Sequence, residues 1–224
     1  MKAAFFDLDG TLTEHRVWSG LLDYFKVNRV RLFRHYLFTF LHYGLYLLHK
    51  LGLVSQVNFR SIWAKNLSWH FAGYSLEKVG EIWDWVIEHR MKGQWRTEIL
   101  AILQQHKSDG DVIFLVSGGP EGLLEKITAE VGGDHAVGTR HQIVNGEYTG
   151  RSEGLACQGE NKPLLVKEKV NQLGLQIDFQ ESFAYADSLS DLQLLTLVGN
   201  PYAVYPDERL RAVALEKGWK IIEA

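Results

Sequence analysis

The 224-residue sequence predicts an α/β protein in which a doubly wound, mostly parallel sheet receives an all-helical insertion after its first strand. Three observations support this prediction. Short apolar runs alternate with segments of helical periodicity along the chain. Three of those runs end in Asp or Ser, at the strand ends where open α/β sheets bind ligands. Aromatic residues are also unevenly distributed, because 17 of the 27 lie between residues 15 and 95.

Strands are predicted where short apolar runs lack polar alternation, a pattern typical of strands buried on both faces of a sheet. Residues 142–148 instead predict a hairpin, because Asn145 and Gly146 suit the positive φ angles of a type I′ turn. The predicted sheet strands are 2–6, 111–117, 181–186, 203–205 and 220–222.

Large apolar residues at spacings of three and four predict helices along much of the remaining chain. Ser75 is a predicted N-cap, since its hydroxyl can accept a hydrogen bond from the first helical turn. Four of the predicted helices fall between the first strand and residue 95, which predicts a helical cap over residues 15–95 and a core made of residues 1–14 and 96–224. The predicted helices are 17–26, 29–50, 57–71, 76–92, 97–106, 120–131 and 161–173.

Positive charge is concentrated near the start of the predicted cap. Residues 15–50 carry six Lys or Arg and one acid, Asp23, whereas the whole chain has a net charge of −3. The pI of about 6.3 and this single short basic stretch argue against a nucleic-acid partner. The sequence has one cysteine, an early pair of acids and no apolar run long enough to span a membrane, so we expect a soluble, cytoplasmic protein.

Polar residues follow three of the predicted strands. Asp7 and Asp9 come directly after the first strand, Ser117 ends the middle one, and Asp187 follows the later one. The carboxyl ends of parallel strands share one edge of the sheet, so these side chains are expected to lie together. Two carboxylates at this spacing can act together on a phosphate ester, with Asp7 as nucleophile and Asp9 as general acid and base. With Asp191, four carboxylates would repel one another strongly without a cation, and an all-oxygen site suits Mg²⁺.

These motifs resemble those of the haloacid dehalogenase (HAD) superfamily. Residues 7–13, Asp-Leu-Asp-Gly-Thr-Leu-Thr, resemble its motif I, and Ser117, Lys162 and the pair Asp187 and Asp191 follow in the order of motifs II, III and IV. The resemblance covers the predicted core. It implies a Rossmann-like sheet, a bound Mg²⁺ and an aspartyl-phosphate intermediate. A dehalogenase would not need the second aspartate of motif I, so the motif favours phosphate ester chemistry.

The resemblance extends to a subfamily and to individual roles. A helical cap between motifs I and II resembles the subfamily that includes phosphoserine phosphatase, and residues 150–162 resemble its IB hydrolase branch. By this resemblance, Asp7, the backbone carbonyl of Asp9 and Asp187 would hold Mg²⁺, with Asp191 assisting directly or through water. The groups implied to clamp the phosphoryl oxygens are the Ser117 hydroxyl, the Gly10 and Gly118 amides and the Lys162 ammonium.

Three residues are candidates for substrate specificity. Phosphoserine phosphatases carry an acid a few positions after motif I that meets the substrate amine. Here Glu14 comes earlier than that pattern, and Arg16 is basic roughly where the acid is expected. Arg60 is a candidate for the carboxylate-binding arginine of those enzymes.

One predicted cap helix carries Arg31, His35, His42 and His49 along a single stripe, because seven residues make about two turns. The stripe has two interpretations. It is either a cationic surface for an anionic substrate or a membrane headgroup layer, or a solvated cap face whose apolar side packs on its own domain. We expect most of the cap tryptophans to be core, with one or two at the pocket: Trp63, Trp69, Trp83, Trp85 and Trp95.

The sequence therefore predicts a Mg²⁺-dependent phosphomonoester hydrolase that acts on a small phosphorylated metabolite or headgroup. Phosphoserine phosphatase is the first alternative, and a non-catalytic phosphate- or membrane-binding module is the second. Cys157 is predicted to be structural, because a cysteine-based phosphatase needs an arginine six residues later, where Pro163 stands. The sequence leaves the oligomeric state open.

Overall fold

A computed structural model describes residues 1–223. Its strands are β1 (Ala3–Phe6), β2 (Val112–Pro120), β3 (His135–Thr139), β4 (His141–Val144), β5 (Glu147–Ser152), β6 (Phe183–Ala186), β7 (Asn200–Val204) and β8 (Lys220–Ile222). Six of them form one sheet in the order β3-β2-β1-β6-β7-β8, and each neighbouring pair is parallel. The antiparallel pair β4–β5 is the predicted hairpin. With helices between the strands, this sheet confirms the predicted fold class.

Two of the predicted helices end earlier than expected. The segment 57–71 forms α3 and then a 3-10 turn at Leu67–Phe71, while 76–92 forms α4 and then a π-helical turn at Ile87–Met91. Ser75 caps α4 as predicted, because its hydroxyl accepts a hydrogen bond from the Lys78 amide at 3.2 Å. The helices are α1 (Val17–Val27), α2 (Leu32–Lys50), α3 (Gln56–Asn66), α4 (Leu76–Val86), α5 (Thr97–Ser108), α6 (Glu121–Val131), α7 (Asn161–Gln172), α8 (Leu192–Leu195) and α9 (Glu208–Lys217).

Sequence reasoning missed β3, α8 and α9. The sequence of β3, His-Ala-Val-Gly-Thr, lacks a run of large apolar residues, and α8 is a single turn of four residues. Half of the residues of helix α9 are charged and two of the others are alanines, so its apolar periodicity is weak. It is started by Asp207, whose carboxylate accepts a hydrogen bond from the Leu210 amide at 2.8 Å.

The central strand β1 ends directly before Asp7 and so leads to the sheet edge where the predicted site residues lie. All four of its residues are buried, which explains their lack of polar alternation. Phe6 is in register with Leu115 of β2 on one side and with Tyr185 of β6 on the other, where the two rings stack at 4.5 Å. The three strands therefore end side by side at one edge of the sheet.

Helices α1 to α4 lie between β1 and β2 in the chain, as expected for the insertion. Residues 72–75, between the 3-10 turn and α4, pair with the hairpin. The Gly73 amide donates to the Tyr148 carbonyl at 2.7 Å, and the Tyr148 amide donates to the Tyr74 carbonyl at 2.9 Å. The division into a cap of residues 15–95 and a core stays a prediction.

Both interpretations of the histidine stripe on α2 required it to be exposed, and the orientation of the helix shows that this was wrong. His35 and His42 are buried instead of facing solvent, and burial lowers the pKa of each imidazole. Arg31 also turns inward, since its guanidinium donates to the carbonyls of His70 and Ala72 at 3.0 and 2.7 Å. The apolar side of α2 faces outward. Within residues 1–223, no helix is long and apolar enough to cross a membrane.

Candidate active site

Asp7 stands directly after β1 and is buried. Its amide continues the sheet by donating to the Tyr185 carbonyl at 2.9 Å, and one carboxylate oxygen accepts a hydrogen bond from the Thr11 hydroxyl at 3.3 Å. Burial raises the pKa of Asp7 well above the usual range, and the nearby acids Asp191 and Asp187 raise it further, against the opposing effect of Lys162. The hydrogen bonds to Tyr185 and Thr11 hold Asp7 at the edge of the sheet.

Lys162 supplies the positive charge at this edge. It lies near the start of α7 and is buried, with its ammonium 2.5 Å from a carboxylate oxygen of Asp7 and in an ion pair with Asp191. It also donates to the Val116 carbonyl at 3.2 Å. Burial by itself lowers the pKa of Lys162, but the two carboxylates outweigh that effect and raise it above its ordinary value. The ammonium remains charged at neutral pH.

Three carboxylates converge beside Lys162. One oxygen each from Asp7, Asp187 and Asp191 lies within 4.8 Å of the others. The pKa of Asp187 is raised to about 7, first by burial and then by the charge of Asp191. Two serines of the same loop hold Asp191, since the hydroxyls of Ser188 and Ser190 donate to its second oxygen at 3.0 and 3.1 Å. An all-oxygen cluster of this size fits a small divalent cation.

Asp9 is placed differently from the cluster. One of its carboxylate oxygens accepts a hydrogen bond from the Val17 amide at 2.8 Å, which ties it to the start of α1. Burial raises the pKa of Asp9 to about 6, although this hydrogen bond opposes the shift. A carboxyl group with such a pKa can exchange a proton near neutral pH, as a general acid and base requires.

The candidate phosphate-binding groups surround the same edge. Gly10 has a φ angle of +94°, and a Cβ atom at this position would overlap the carboxylate of Asp187. Ser117 is buried in the last half of β2, where its hydroxyl accepts a hydrogen bond from the Gly119 amide at 3.2 Å. A side chain on Gly118 would meet Gln158, a residue that sequence reasoning missed. Glycine is needed at position 10 for both its backbone angle and the close approach.

The carboxylates of the site, with Ser117, Gly118 and Lys162, form the floor of a pocket of about 540 Å³. The sequence predicted its charged floor but missed most of its wall, for which the aromatic bias of residues 15–95 was the available signal. Trp63 is the predicted cap tryptophan that lines the pocket. We call the aromatic wall the set of lining residues Trp18, Tyr43, Tyr46, Phe59 and Trp63.

Two of the three specificity candidates line this pocket. Arg16 and Arg60 both do, and the Arg60 guanidinium donates to the Ser190 hydroxyl at 2.6 Å, linking α3 to the loop after β6. Glu14 is outside the described lining. It forms an ion pair with Arg96 at 3.1 Å, and its side chain is 70% exposed. The structure therefore does not bring Glu14 to the carboxylate cluster.

Cys157 lies beneath the site without reaching the pocket surface. It is buried, and its thiol donates to the Val137 carbonyl at 3.4 Å. Burial raises the pKa of the thiol to about 12, so the nucleophilic thiolate is suppressed at neutral pH. This agrees with the structural role predicted for it.

Comparison with known proteins places this geometry in a family. The family model described as haloacid dehalogenase-like hydrolase matches residues 4–196, which include all four predicted motifs. The chain belongs to this family. A phosphoserine phosphatase of Mycobacterium tuberculosis is 32% identical to the HAD chain over 227 residues, which cover 98% of the chain and 70% of that relative.

Solved structures share the fold. A Bordetella pertussis protein of unknown function superposes with a TM-score of 0.81 at 24% identity. The match covers 99% of this HAD chain and 98% of the Bordetella chain. A substrate-bound phosphoserine phosphatase superposes with a TM-score of 0.64 at 19% identity. The match covers 100% of this chain and 93% of the phosphoserine phosphatase. Together with the family match and the named relative, the comparisons show a HAD phosphatase that resembles phosphoserine phosphatases. They speak against the alternative of a non-catalytic binding module.

Proposed function

We propose that this phosphatase is a Mg²⁺-dependent phosphomonoesterase that works through an aspartyl-phosphate on Asp7. The observation that carries the proposal is the buried Lys162 ammonium held between Asp7 and Asp191 on the floor of the pocket. A phosphomonoester is a dianion, so its hydrolysis depends on positioning and on neutralising charge. The floor offers a carboxylate nucleophile together with a fixed cation.

The acidic cluster fits Mg²⁺ by its chemistry, since one carboxylate oxygen from each of its three aspartates lies within 4.8 Å of the others. Asp7 and Asp187 would hold the ion with the backbone carbonyl of Asp9, and Asp191 would assist directly or through water. When bound, Mg²⁺ supplies positive charge that offsets the repulsion between these acids and the phosphate.

The proposed reaction has two steps, and Asp9 transfers one proton in each of them. A carboxylate oxygen of Asp7 attacks phosphorus, and the bond to the leaving oxygen breaks while Asp9 donates a proton to that oxygen. In the second step Asp9 takes a proton from the water that attacks the aspartyl-phosphate. Inorganic phosphate leaves and Asp7 is regenerated. Lys162 and the Ser117 hydroxyl stabilise the charge on the transferred phosphoryl oxygens.

The pocket also suggests the shape of the substrate. Its floor is charged, whereas the aromatic wall is formed mainly by rings from α2 and α3. A substrate whose phosphate reaches the floor would place its organic part against these rings, where burying apolar surface favours binding. This arrangement favours a small phosphomonoester with an apolar or aromatic portion.

The substitution Asp7→Asn tests the proposal with an aryl phosphate as substrate. It keeps the side-chain size and removes the nucleophilic charge, so we expect Mg²⁺-dependent hydrolysis to be lost while the fold is retained. Asp23→Asn, at a carboxylate remote from the floor, is the matched control. Hydrolysis that survives Asp7→Asn, or that is unaffected by chelation of divalent ions in the parent, contradicts the proposal.

Phosphoserine is the second candidate substrate, favoured by the name of the mycobacterial relative and by the presence of Arg60 in the pocket. Arg60 could pair with a substrate carboxylate. The expected acid for the substrate amine is lacking in the described wall, because Glu14 pairs with Arg96 instead. If phosphoserine is the substrate, kcat/KM for it exceeds that for phosphoethanolamine, which lacks the carboxylate, and Arg60→Gln removes the difference. Equal use of both compounds rejects phosphoserine.

A further inference from the structure

Helix α2 presents an apolar face to solvent along its whole length. Phe33 is 80% exposed, Phe40 is 75% exposed, and Leu51, just past the end of the helix, is 73% exposed. Positions 33, 37, 40, 47 and 51 recur at spacings of three, four and seven, so they form one stripe about 27 Å long at ~1.5 Å per residue. We call the following exposed residues the outer face: Phe33, Tyr36, Leu37, Phe40, Leu41, Tyr43, Leu47, Leu48 and Leu51.

This arrangement reverses the usual amphipathic pattern, in which apolar side chains face the core. The side of α2 that packs on the protein carries His35, Phe38 and His42, while most of the other aromatic and leucine side chains of the helix are exposed. A contiguous apolar surface of this extent on a folded protein indicates an interaction site. The opposite rotation of α2 would have buried the apolar residues, so the exposure is a feature of how this helix packs.

The charge around the outer face identifies its partner. Residues 24–76 contain seven Lys or Arg and no Asp or Glu, although the whole chain has more acids than bases. Four of these cations are exposed near α2: Lys26, Arg29, Arg34 and Lys50. A surface that combines apolar side chains with exposed cations near both ends of the helix matches a bilayer that contains anionic lipids.

We propose that the outer face of α2 docks on the surface of an anionic lipid bilayer. A second copy of the chain is a poorer partner, because two outer faces placed together would bring their cations into apposition. The docked helix would lie in the plane of the interface, with Phe33 and Phe40 among the acyl chains and Lys50 at the headgroups.

Docking would also orient the active site. Tyr43 belongs to both the outer face and the aromatic wall, so the pocket opens at the edge of the docking surface. Helix α2 contributes Thr39 and His42 to the pocket from its other side. The docking proposal does not depend on the proposed chemistry, but the two together would give the pocket access to phosphorylated amphiphiles in the membrane.

Co-sedimentation with vesicles tests the proposal. We expect the protein to bind vesicles made of equal parts phosphatidylglycerol and phosphatidylcholine at low salt, and to bind phosphatidylcholine vesicles much more weakly. The double variant Phe33→Ser/Phe40→Ser is expected to bind at least about tenfold more weakly, since two large apolar side chains no longer enter the bilayer. The matched control is Leu155→Ser/Leu215→Ser, which removes two exposed leucines outside α2.

Lysine substitutions test the electrostatic contribution to vesicle binding, with a matched control pair elsewhere on the protein. Lys26→Gln/Lys50→Gln is expected to weaken binding to the anionic vesicles by about tenfold or more, whereas Lys167→Gln/Lys217→Gln, on α7 and α9, leaves it unchanged. Hydrolysis of a soluble aryl phosphate checks that each variant is folded, because none of these side chains lies on the pocket floor.

Two results would overturn the proposal. One is the absence of sedimentation with the anionic vesicles at low salt while the protein is folded and active. The other is a stable dimer, seen by light scattering without lipid, that Phe33→Ser/Phe40→Ser converts to a monomer and that does not bind vesicles. The second result would assign the outer face to a copy of the chain instead.

Discussion

The ammonium of Lys162 lies 2.5 Å from a carboxylate oxygen of Asp7, although 155 positions separate the two residues in the chain. Asp7 is placed by the end of β1, and Lys162 by the beginning of α7. Both side chains are buried, so each charge depends on the other, and on Asp191, for compensation. The same contact therefore serves stability in the free enzyme and, in the proposed reaction, the binding of phosphate.

Replacing Lys162 with methionine is expected to impair both activity and folding. Methionine keeps much of the side-chain volume but leaves Asp7 and Asp191 without their buried cation. We expect kcat/KM to fall by ~10²–10³ and the free energy of unfolding to fall by about 3–5 kcal/mol. Enzyme kinetics and denaturant unfolding measure the two effects. Lys167→Met, at an exposed position of α7, is expected to change neither, and parent-like kinetics in Lys162→Met would refute the assigned role.

Gly10→Ala is expected to inactivate the enzyme by displacing Asp187. The φ angle of +94° makes any side chain costly here, and the new methyl group would also overlap the Asp187 carboxylate. A displacement of about 1 Å in a catalytic site can cost ~10²-fold in rate. Gly52→Ala is the control, because Gly52 has a φ of +76° and open space around it. It should lose about 1 kcal/mol of stability and retain activity; equal activity in both variants would contradict the expected displacement.

The role of Asp9 predicts a dependence on the leaving group. Without a general acid, an alkyl phosphate must expel a basic alkoxide, whereas an aryl phosphate expels a more stable phenolate. Asp9→Asn is therefore expected to lower kcat/KM for an alkyl phosphate by ~10²–10⁴ and for a nitrophenyl phosphate by much less. The quantity kcat/KM is used because it reports the first chemical step. An equal loss for both substrates would show that Asp9 does not protonate the leaving oxygen.

Buried histidines are expected to make the fold sensitive to acid. Burial lowers the pKa of His141 to about 4, and its ring nitrogens have no hydrogen-bond partner among residues 1–223. In the unfolded chain its pKa is about 6.5, so the unfolded state binds the proton first as the pH falls. The free energy of unfolding is thus undiminished above about pH 6.5 and decreases toward pH 4, by up to ~3 kcal/mol for this residue.

His141→Phe tests that linkage by removing the titrating group while keeping an aromatic ring beside Phe71, 5.5 Å away in the parent. Unfolding measured at several pH values should show a shallower loss of stability between pH 6.5 and 4 than in the parent. Some loss of stability in acid remains in this variant, because burial lowers the pKa of His70 to about 4 as well. His15→Phe, at an exposed position, controls for the substitution itself; an unchanged slope in His141→Phe would disprove the linkage.

The sequence alone was sufficient to predict the α/β class and the convergence of Asp7, Ser117 and Asp187. Buried parallel strands are short apolar runs, and the residue that follows such a run must emerge at the same sheet edge as its neighbours. The position of Lys162 at the start of a predicted helix was likewise visible in the chain. Short or polar elements such as β3 and α9 were not, because their formation depends on packing against the finished sheet.

Only the tertiary structure decided which side of α2 is buried. Periodicity identifies residues that share a face, such as His35 with His42 and Phe33 with Phe40, but which face packs inward depends on the shape and polarity of the elements around it. Similarly, Glu14 is near motif I in sequence, yet its partner Arg96 lies 82 residues away. Local patterns determine which residues stand together on one element, while contacts between distant elements determine what each of them meets.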